Sequence, residues 1–437
     1  MESLELAAKE VLKKNWRNGF TVPSSNLYPF QWFWDSGFIA LGWSYVDIEK
    51  ARQEIETLMN AQWSNGFIPH IIFHDDSAEK AYFPGADFQK AHINEFSPRS
   101  VKTSGITQPP VLGFILEEIY HKEEDKNKHK DFYISMTEKI FYFHQYLYEN
   151  RNIDNEGLVY IRHNWESGTD NSAAWDSIWS GYTPPSYEVE RKDTTHVNQA
   201  QRPTKKDYDY YLNLIDISRE CVYDEKKMFE KLPFIVLDPL FNALLIASNE
   251  SLINLAKEFG LSEILDKVTT WNQKTVQSLN KLYDEKLGLY GYFDVKNNRF
   301  ISIPTAPGLC PIFTSNALPK HRIDELIKTL SSENFAGNNT NDFFLCPSLA
   351  YNHPAFEARR YWRGPVWINI NWLLYRGCKK HGYDEIADRI KRDSITLISK
   401  NGFYEYFSPI GSSEQSGFGG QDFSWSAALF LDLIAKK

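Results

Sequence analysis

The chain has 437 residues, more than a usual single domain, but no Gly/Ser-rich or Pro-rich linker, low-complexity tract or shift in composition divides it. We therefore predict one domain over residues 1–437. The formal net charge of −9 argues against nucleic acid and anionic membrane surfaces as partners. No run approaches about 18 apolar residues, so no membrane span is predicted.

The N-terminus and the cysteines indicate the compartment. Residues 1–16 carry acids and lysines on an amphipathic pattern without an apolar core, so they are not a signal peptide. The four cysteines are far apart and lack metal-ligand spacing. A cytoplasmic protein fits best. His70 and His74 are four positions apart, but Pro69 and two following acids indicate a loop, and neither a metal nor a cofactor is predicted.

Helical periodicity, with apolar residues three or four positions apart, recurs almost throughout the chain and predicts about a dozen helices. Strand patterns are short and confined to the connections. The predicted helices are Leu4–Leu12, Gly37–Tyr45, Ile48–Met59, Val111–Tyr120, Phe132–Tyr148, Tyr208–Ile217, Leu240–Ala256, Ile264–Leu282, Ile323–Leu330, Val366–Leu374, Ile386–Ile398 and Trp425–Ile434.

Two kinds of signal organise these helices. Gly66, Gly157, Gly288 and Gly402 each precede an apolar residue, a pattern typical of left-handed helix C-caps. Start signals precede six helices, most of them apolar nearly all round, which indicates burial on every side. The start signals are Asp35-Ser36, Pro109-Pro110, Thr204 with Asp207, Asp238-Pro239, Gly364-Pro365 and Ser424.

Six inner helices alternating with more amphipathic outer helices describe an all-α fold, the (α/α)6 barrel or toroid. Polar and aromatic residues without an evident core role lie just before the inner starts. If the inner helices run parallel, these residues ring one mouth of the toroid, where they would form a sugar site. A helical-repeat binding protein would instead have a regular period of about 30–45 residues, which the glycine turns lack.

The segment Asn164–Asp176 packs three acids among two tryptophans and a glycine. Flat apolar rings stack on the C–H faces of a sugar, and apolar surroundings raise the pKa of a carboxyl so that it stays protonated near neutrality. The same segment is equally typical of a helix N-terminus, capped by Asp170 or Ser172, beside core tryptophans.

Five motifs in this order resemble glycoside hydrolase family 63 and, more loosely, the family 37 trehalases. They span residues from about 28 to 430. The compact length and the segment Arg202–Tyr208 look like the bacterial mannosylglycerate and glucosylglycerate hydrolases of family 63. The motifs are Phe30–Gly37, Trp165–Ser172, Tyr361–Trp367, Tyr404–Tyr406 and Phe423–Trp425.

This resemblance implies an inverting α-glycoside hydrolase that releases glucose or mannose from a glycoside of glycerate. Asp170 matches the general acid of the family and Glu405 its general base. For inversion, their carboxyl groups are expected about 6.5–9.5 Å apart, which leaves room for a water. Thr169 departs from the family pattern, in which a larger apolar residue is common, and we expect it to alter the floor under the sugar.

The resemblance also implies the substrate-binding residues. Arg202, just before a helix start, would grip the glycerate carboxylate with two parallel hydrogen bonds. Two long irregular loops, residues 71–104 and 180–203, are interpreted as lids. The residues expected around the sugar are Tyr28, Trp32, Trp34, Asp35, Gln108, Gly168, Trp362 and Trp367, and those expected around the glycerate are Tyr82, Arg202, Tyr208, Tyr361 and Gln421.

Two other enzymatic functions stay open from the sequence. A neutral disaccharide such as trehalose would not need Arg202. A sugar isomerase or epimerase would use histidines for proton transfer, for which His70, His163, His196 and His353 are candidates. A non-catalytic sugar-binding module would need no pair of acids. The expected partner is a small-molecule glycoside, and the oligomeric state is left open.

Overall fold

The computed structural model describes residues 1–74, 82–195, 197–338, 342–413 and 415–435. Most of these residues are helical, as the periodicity predicted. The α-helices are α1 (Glu2–Asn15), α2 (Phe33–Trp43), α3 (Ile48–Met59), α4 (Ala86–Gln89), α5 (Leu112–Lys122), α6 (Lys130–Asn150), α7 (Lys205–Glu220), α8 (Glu225–Lys231), α9 (Pro239–Phe259), α10 (Ser262–Leu279), α11 (Lys320–Leu330), α12 (Glu333–Ala336), α13 (Ile368–Lys380), α14 (Asp384–Asn401) and α15 (Ser424–Ile434).

Short antiparallel strands connect the helices. They pair as β1-β2-β3, β4-β5-β8-β9, β6-β7 and β10-β11. The strands are β1 (Gln31–Trp32), β2 (Ile71–Phe73), β3 (Lys102–Thr103), β4 (Tyr160–Ile161), β5 (Val236–Leu237), β6 (Tyr283–Asp284), β7 (Leu289–Tyr290), β8 (Tyr292–Asp294), β9 (Arg299–Ile301), β10 (Tyr404–Phe407) and β11 (Gly417–Gln421).

Six helical elements contact one another in a closed ring. Their order is α2, α5, α9, the 3₁₀ helix Ala306–Phe313, α13 and α15, and α15 packs against α2 again. The outer helices α1, α3, α6, α10, α11 and α14 each pack against at least one ring member. Every residue of α2 and of Ala306–Phe313 is buried, whereas α3 buries mainly one face. The ring elements are therefore apolar all round because they are covered on all sides.

One of the six helices predicted for the inner ring does not belong to it. Thr204 and Asp207 form the expected capping box at the start of α7, but α7 packs against α4 and α8 rather than joining this ring. The sixth place is taken by Ala306–Phe313, which the periodicity did not predict. Two prolines in this helix remove backbone donors, so it forms a short 3₁₀ helix without a long apolar repeat.

The four glycines have the predicted left-handed backbone conformation, but only one of them lies at the end of a helix. Gly66, Gly157, Gly288 and Gly402 all have positive φ, between 65° and 103°. Only Gly402 directly follows a helix, α14. The other three lie in turns of the connections, for example Gly288 between β6 and β7. Glycine thus marked left-handed backbone, which turns and helix ends share.

The two predicted lid loops differ from each other in structure. Residues 71–104 contain β2, α4 and β3, with residues 75–81 outside the described part, so this segment is less irregular than predicted. Residues 180–203 contain only the 3₁₀ helix Gln199–Gln201, with His196 outside the described part.

A continuous hydrophobic cluster extends from Ala8 to Leu433 and includes residues of both helix sets. Among the described residues, every helix is too short or too polar to cross a lipid bilayer.

Candidate active site

One pocket brings together nearly all of the residues that the sequence singled out. Of the residues predicted to be catalytic or to bind substrate, Gln421 alone is absent from the lining of this pocket. Residues that sequence reasoning did not propose for the site complete the wall. The predicted lining residues are Tyr28, Trp32, Trp34, Asp35, Tyr82, Gln108, Gly168, Asp170, Arg202, Tyr208, Tyr361, Trp362, Trp367 and Glu405, and the additional ones are Pro23, Leu27, His70, Trp165, Asp193, Phe423 and Trp425.

Asp170 is carried by a tight turn that requires glycine. The 3₁₀ helix Asn164–Ser167 ends at Gly168, whose φ is 71°. A Cβ at Gly168 would lie 2.4 Å from Cη2 of Trp34, so only glycine lets the indole pack against the turn. Two residues further on, Asp170 lines the pocket.

The surroundings of Asp170 favour its protonated form. The pKa of its carboxyl is raised to about 7, mainly by burial; Arg202 lowers this pKa and the charge of Glu405 raises it. A carboxyl with such a pKa is protonated in much of the population at neutral pH and can donate its proton. The effect of the Glu405 charge on this pKa also places the two carboxyls within electrostatic reach of each other.

Glu405 is held as an acceptor. It lies in β10, where the register with β11 shifts between Tyr404 and Tyr406, and such an irregularity redirects a side chain. Its carboxyl is buried and accepts hydrogen bonds from the Tyr28 hydroxyl at 2.8 Å and from the Gly420 amide at 2.9 Å. Hydrogen-bond donors are thus directed at both of its oxygens.

Arg202 has every side-chain nitrogen engaged. Nη1 lies 3.4 Å from both oxygens of Glu405, Nη2 donates to the Tyr28 hydroxyl at 2.9 Å, and Nε donates to Asp193 at 3.2 Å. The guanidinium carbon lies 4.3 Å from the ring centre of Tyr361. Asp193, which the sequence did not mark, therefore fixes this arginine, and it is itself held by Arg191.

Stacked aromatic rings form another part of the wall. Trp362 and Trp367 are parallel, with ring centres 3.8 Å apart, and Tyr406 stacks on Trp367 at 4.7 Å. The Trp367 indole donates to the backbone oxygen of Tyr361. This stack is rigid, so it presents a flat apolar surface to a ligand without loss of side-chain freedom.

Asp35 and Gln108 contribute polar groups to the wall. Asp35 is in the first turn of α2 rather than before it, because the helix begins at Phe33. Burial, followed by the charge of Glu405, raises the pKa of Asp35 well above its usual value. Gln108 uses its oxygen to accept from the Trp34 amide at 3.2 Å, so its amide nitrogen stays available to a ligand hydroxyl.

The three acids of the segment Asn164–Asp176 have different partners. Glu166 is buried and paired with Arg151 at 2.9 Å. Asp176 is paired with Arg363 at 2.7 Å. Only Asp170 has no cation in direct contact within the described chain. The alternative interpretation of this segment as a capped helix is correct for Ser172, which caps the 3₁₀ helix Ala173–Trp175.

Within the described part of the chain, which leaves out His196, the candidate histidines do not form a proton-transfer group. His70 is the one that lines the pocket in the described chain, and burial lowers its pKa to about 3, which keeps it neutral. Both ring nitrogens of His163 are bonded, to the Trp165 amide and the Tyr211 oxygen. His353 bonds the Ala355 amide. Within the described residues, no cluster of His, Cys, Asp and Glu could hold a metal ion.

Gln421 and Thr169 lie outside the pocket lining in this structure. Gln421 is exposed, bonds the Tyr404 hydroxyl and lines a separate surface cavity. It ends β11, in which neighbouring side chains alternate in direction. Thr169 is buried and bonds Ser167 at 3.0 Å, and it is absent from the pocket lining. It therefore supports the turn before Asp170 and is not part of a floor under the sugar.

One carboxyl of this pocket is protonated near neutrality and can donate its proton to a glycosidic oxygen. The other lies within electrostatic reach of it, is held by hydrogen-bond donors and can accept a proton from a water. Aromatic walls around this pair suit a sugar. The class defined by this site is a glycoside hydrolase.

Comparison with known proteins specifies the class. The chain belongs to the mannosylglycerate hydrolase MGH1-like glycoside hydrolase domain family, whose model matches residues 28–426. It is 39% identical over 431 residues to a mannosylglycerate hydrolase of Thermus thermophilus, covering 98% of this chain and 99% of the relative. It is 30% identical over 447 residues to a glucosylglycerate hydrolase of Mycolicibacterium hassiacum, with 98% of each chain covered.

A solved structure has the same fold. The family 63 mannosylglycerate hydrolase of Thermus thermophilus, in complex with Tris and D-glycerate, superposes with a TM-score of 0.89 at 39% identity. The match covers 98% of this chain and 99% of that chain. The resemblance to family 63 inferred from the motifs is thereby confirmed.

Proposed function

We propose that this protein is an inverting α-glycosidase that hydrolyses mannosylglycerate or glucosylglycerate to glycerate and the free sugar. The observation that carries the proposal is the asymmetry of its two pocket acids. Asp170 has a pKa raised to about 7, whereas Glu405 accepts hydrogen bonds from Tyr28 and Gly420. Relatives with both substrate names cover nearly the whole chain, which supports this substrate class.

The proposed mechanism uses one water and two proton transfers. Asp170 donates its proton to the glycosidic oxygen as the bond from that oxygen to the anomeric carbon breaks. Glu405 accepts a proton from a water, which attacks the anomeric carbon from the opposite face and inverts it. For this step the two carboxyl groups are expected about 6.5–9.5 Å apart. The products carry the atoms of one water, and Asp170 and Glu405 each return to their starting state by proton exchange with solvent.

The remaining side chains divide between the two halves of the substrate. Asp35 and Gln108 bond sugar hydroxyls, while Tyr28, Trp32, Trp34, Gly168, Trp362 and Trp367 enclose the ring. Arg202, Tyr82, Tyr208 and Tyr361 surround the glycerate. Gln421 could join them only by a movement of the end of β11, since its side chain is exposed. Segments 71–104 and 180–203 act as lids over the mouth.

The fold proposal is a single (α/α)6 barrel over residues 1–437. The closed contact order of the six ring elements and the six outer helices packed on them support it. The substrate is a small molecule, and a cytoplasmic location is proposed because the four cysteines are free and buried.

A neutral disaccharide is the second candidate substrate, because Arg202 already contacts the carboxylates of Glu405 and Asp193. An incoming glycerate carboxylate has to share this cation. The deciding experiment incubates purified protein with glucosylglycerate, mannosylglycerate, trehalose and maltose and follows sugar release. Faster hydrolysis of a glycerate glycoside supports the proposal. Equal or faster hydrolysis of trehalose or maltose refutes the substrate class but not glycoside hydrolysis.

A further inference from the structure

Glu54 is a buried carboxyl outside the pocket that the mechanism does not use. It lies on α3 and its side chain is fully buried. Its oxygens accept hydrogen bonds from Ser36 Oγ at 2.6 Å, Thr21 Oγ1 at 2.7 Å and Gln31 Nε2 at 3.2 Å. Burial raises its pKa to about 8. Within the described residues no lysine or arginine forms an ion pair with it, and a buried carboxyl without a cation is destabilising.

The residues that Glu54 binds flank part of the sugar-binding wall. Gln31 directly precedes Trp32, and Ser36 directly follows Asp35. Between them lie Trp32, Trp34 and Asp35, which line the pocket. A single carboxyl on an outer helix therefore binds the segment at both ends.

The backbone of this segment is also bonded on its other side: β1 pairs with β2, the Phe33 amide donates to the backbone oxygen of His70, and the Trp34 amide donates to Gln108. The N-cap residue of α2, Trp32, makes no side-chain capping bond. The amide oxygen of Gln31 lies 2.8 Å from Nε2 of His74, and since an amide oxygen only accepts, His74 donates. This bond joins the segment to the root of the proposed lid 71–104. Glu54 is thus the centre of a buried polar network with Thr21, Gln31 and Ser36.

We propose that Glu54 is a positioning residue for the sugar half of the site. By accepting from Gln31 and Ser36 it sets the direction in which Trp32, Trp34 and Asp35 face the pocket. The inference rests on the proposed function, because it assigns those three residues to the sugar.

The test uses Glu54→Gln, which keeps the volume but replaces one of the two acceptor oxygens by an amide donor, so that at least one of the present hydrogen bonds has to be lost or reversed. Inhibition by free mannose and glucose measures binding to the sugar half of the site, and inhibition by D-glycerate measures binding to the glycerate half. We expect the inhibition constant of the sugar to rise about tenfold and kcat/KM to fall about tenfold, because the loss of one buried hydrogen bond has effects of this size. The inhibition constant of D-glycerate is expected to stay within about twofold of the wild-type value. Glu56→Gln is the matched control, because Glu56 is exposed on the same helix; it leaves all constants unchanged.

Ser36→Ala gives a second measurement that keeps the carboxyl. This variant is also expected to weaken inhibition by the sugar. In the double variant Ser36→Ala/Glu54→Gln, the loss of sugar binding is expected to be smaller than the sum of the two single losses, because both substitutions remove the same hydrogen bond. Equal weakening of sugar and glycerate, or full additivity, overturns the inference. If the wild type hydrolyses a glycerate glycoside and Ser36→Ala leaves sugar inhibition unchanged, this inference fails alone. A wild type inactive on every glycerate glycoside refutes the proposed function instead.

Discussion

Replacing Arg202 by alanine tests separately the two roles proposed for it, recognition of the substrate anion and support of Glu405 as the proposed general base. The variant loses the contacts of Nη1 with Glu405, of Nε with Asp193 and of Nη2 with Tyr28. Loss of the contact with Glu405 is expected to affect the hydrolysis of every glycoside. Loss of a bond to the glycerate carboxylate is expected to affect only a substrate that has this carboxylate. Two substrates that differ in this carboxylate therefore divide the effect into its two parts.

The expected magnitude follows from burial. Arg202 is only 3% exposed, and truncating one partner of a buried charge pair weakens binding by about 2–4 kcal/mol, or about 30- to 900-fold in kcat/KM. We assign this loss to the glycerate glycoside. The contacts of Nη1 with Glu405 are long, so a loss of about tenfold or less is expected for glucosylglycerol, which has no carboxylate.

The pH dependence of this variant has a definite sign. Arg202 lowers the pKa of Asp170, so its removal raises that pKa above about 7. Asp170 is active when protonated. The alkaline limb of kcat/KM is therefore expected to move to higher pH in Arg202→Ala, although the rate itself is lower.

The assay measures kcat/KM for glucosylglycerate and glucosylglycerol from about pH 5 to 9 in wild type, Arg202→Ala and Arg202→Lys. Lysine is expected to recover only part of the loss, because a point charge cannot form two parallel bonds. Arg359→Ala is the control, since Arg359 is an exposed arginine near Tyr361 in the sequence. An unchanged ratio between the two substrates in Arg202→Ala refutes recognition of the carboxylate by this residue.

Three further predictions concern the catalytic pair and its turn. Asp170→Asn and Glu405→Gln each lower kcat by about 10³-fold or more without unfolding, and proton NMR of fresh wild-type product shows the inverted anomer. In wild type, kcat/KM falls about tenfold per pH unit above about 7, where Asp170 loses its proton; a flat profile contradicts its role as acid. Gly168→Ala lowers the unfolding free energy by about 2–4 kcal/mol, measured by urea denaturation, because its Cβ overlaps Trp34.

The parts of the fold that local chemistry fixes could be predicted from the sequence. The capping box of Thr204 and the N-cap of Asp238 depend on residues within one turn, and both are present. Membership of the ring depends on distant packing. The helix after Thr204 has a regular apolar repeat but lies outside the ring, whereas Ala306–Phe313 contains two prolines and lies within it. Periodicity reports helical length and amphipathicity, and neither property distinguishes these two elements.

The site follows the same division. Residues in compact motifs, such as Trp362 and Trp367, were predicted because several informative residues stand together. Asp193 lies in a segment without regular structure, and its role depends on Arg191 and Arg202 closing around it in space. Nothing in its sequence neighbourhood distinguishes it from a solvated acid.

The choice among the acids of Asn164–Asp176 illustrates why spatial partners decide function. Glu166, Asp170 and Asp176 stand in one short segment and have similar neighbours in sequence. Two arginines outside this segment, Arg151 and Arg363, neutralise the outer two. A carboxyl bonded to an arginine has its oxygens engaged by that side chain and is not free to bond a ligand. Asp170, left without a direct cation beside the turn at Gly168, is the acid whose environment permits proton donation, and only the tertiary structure makes that distinction.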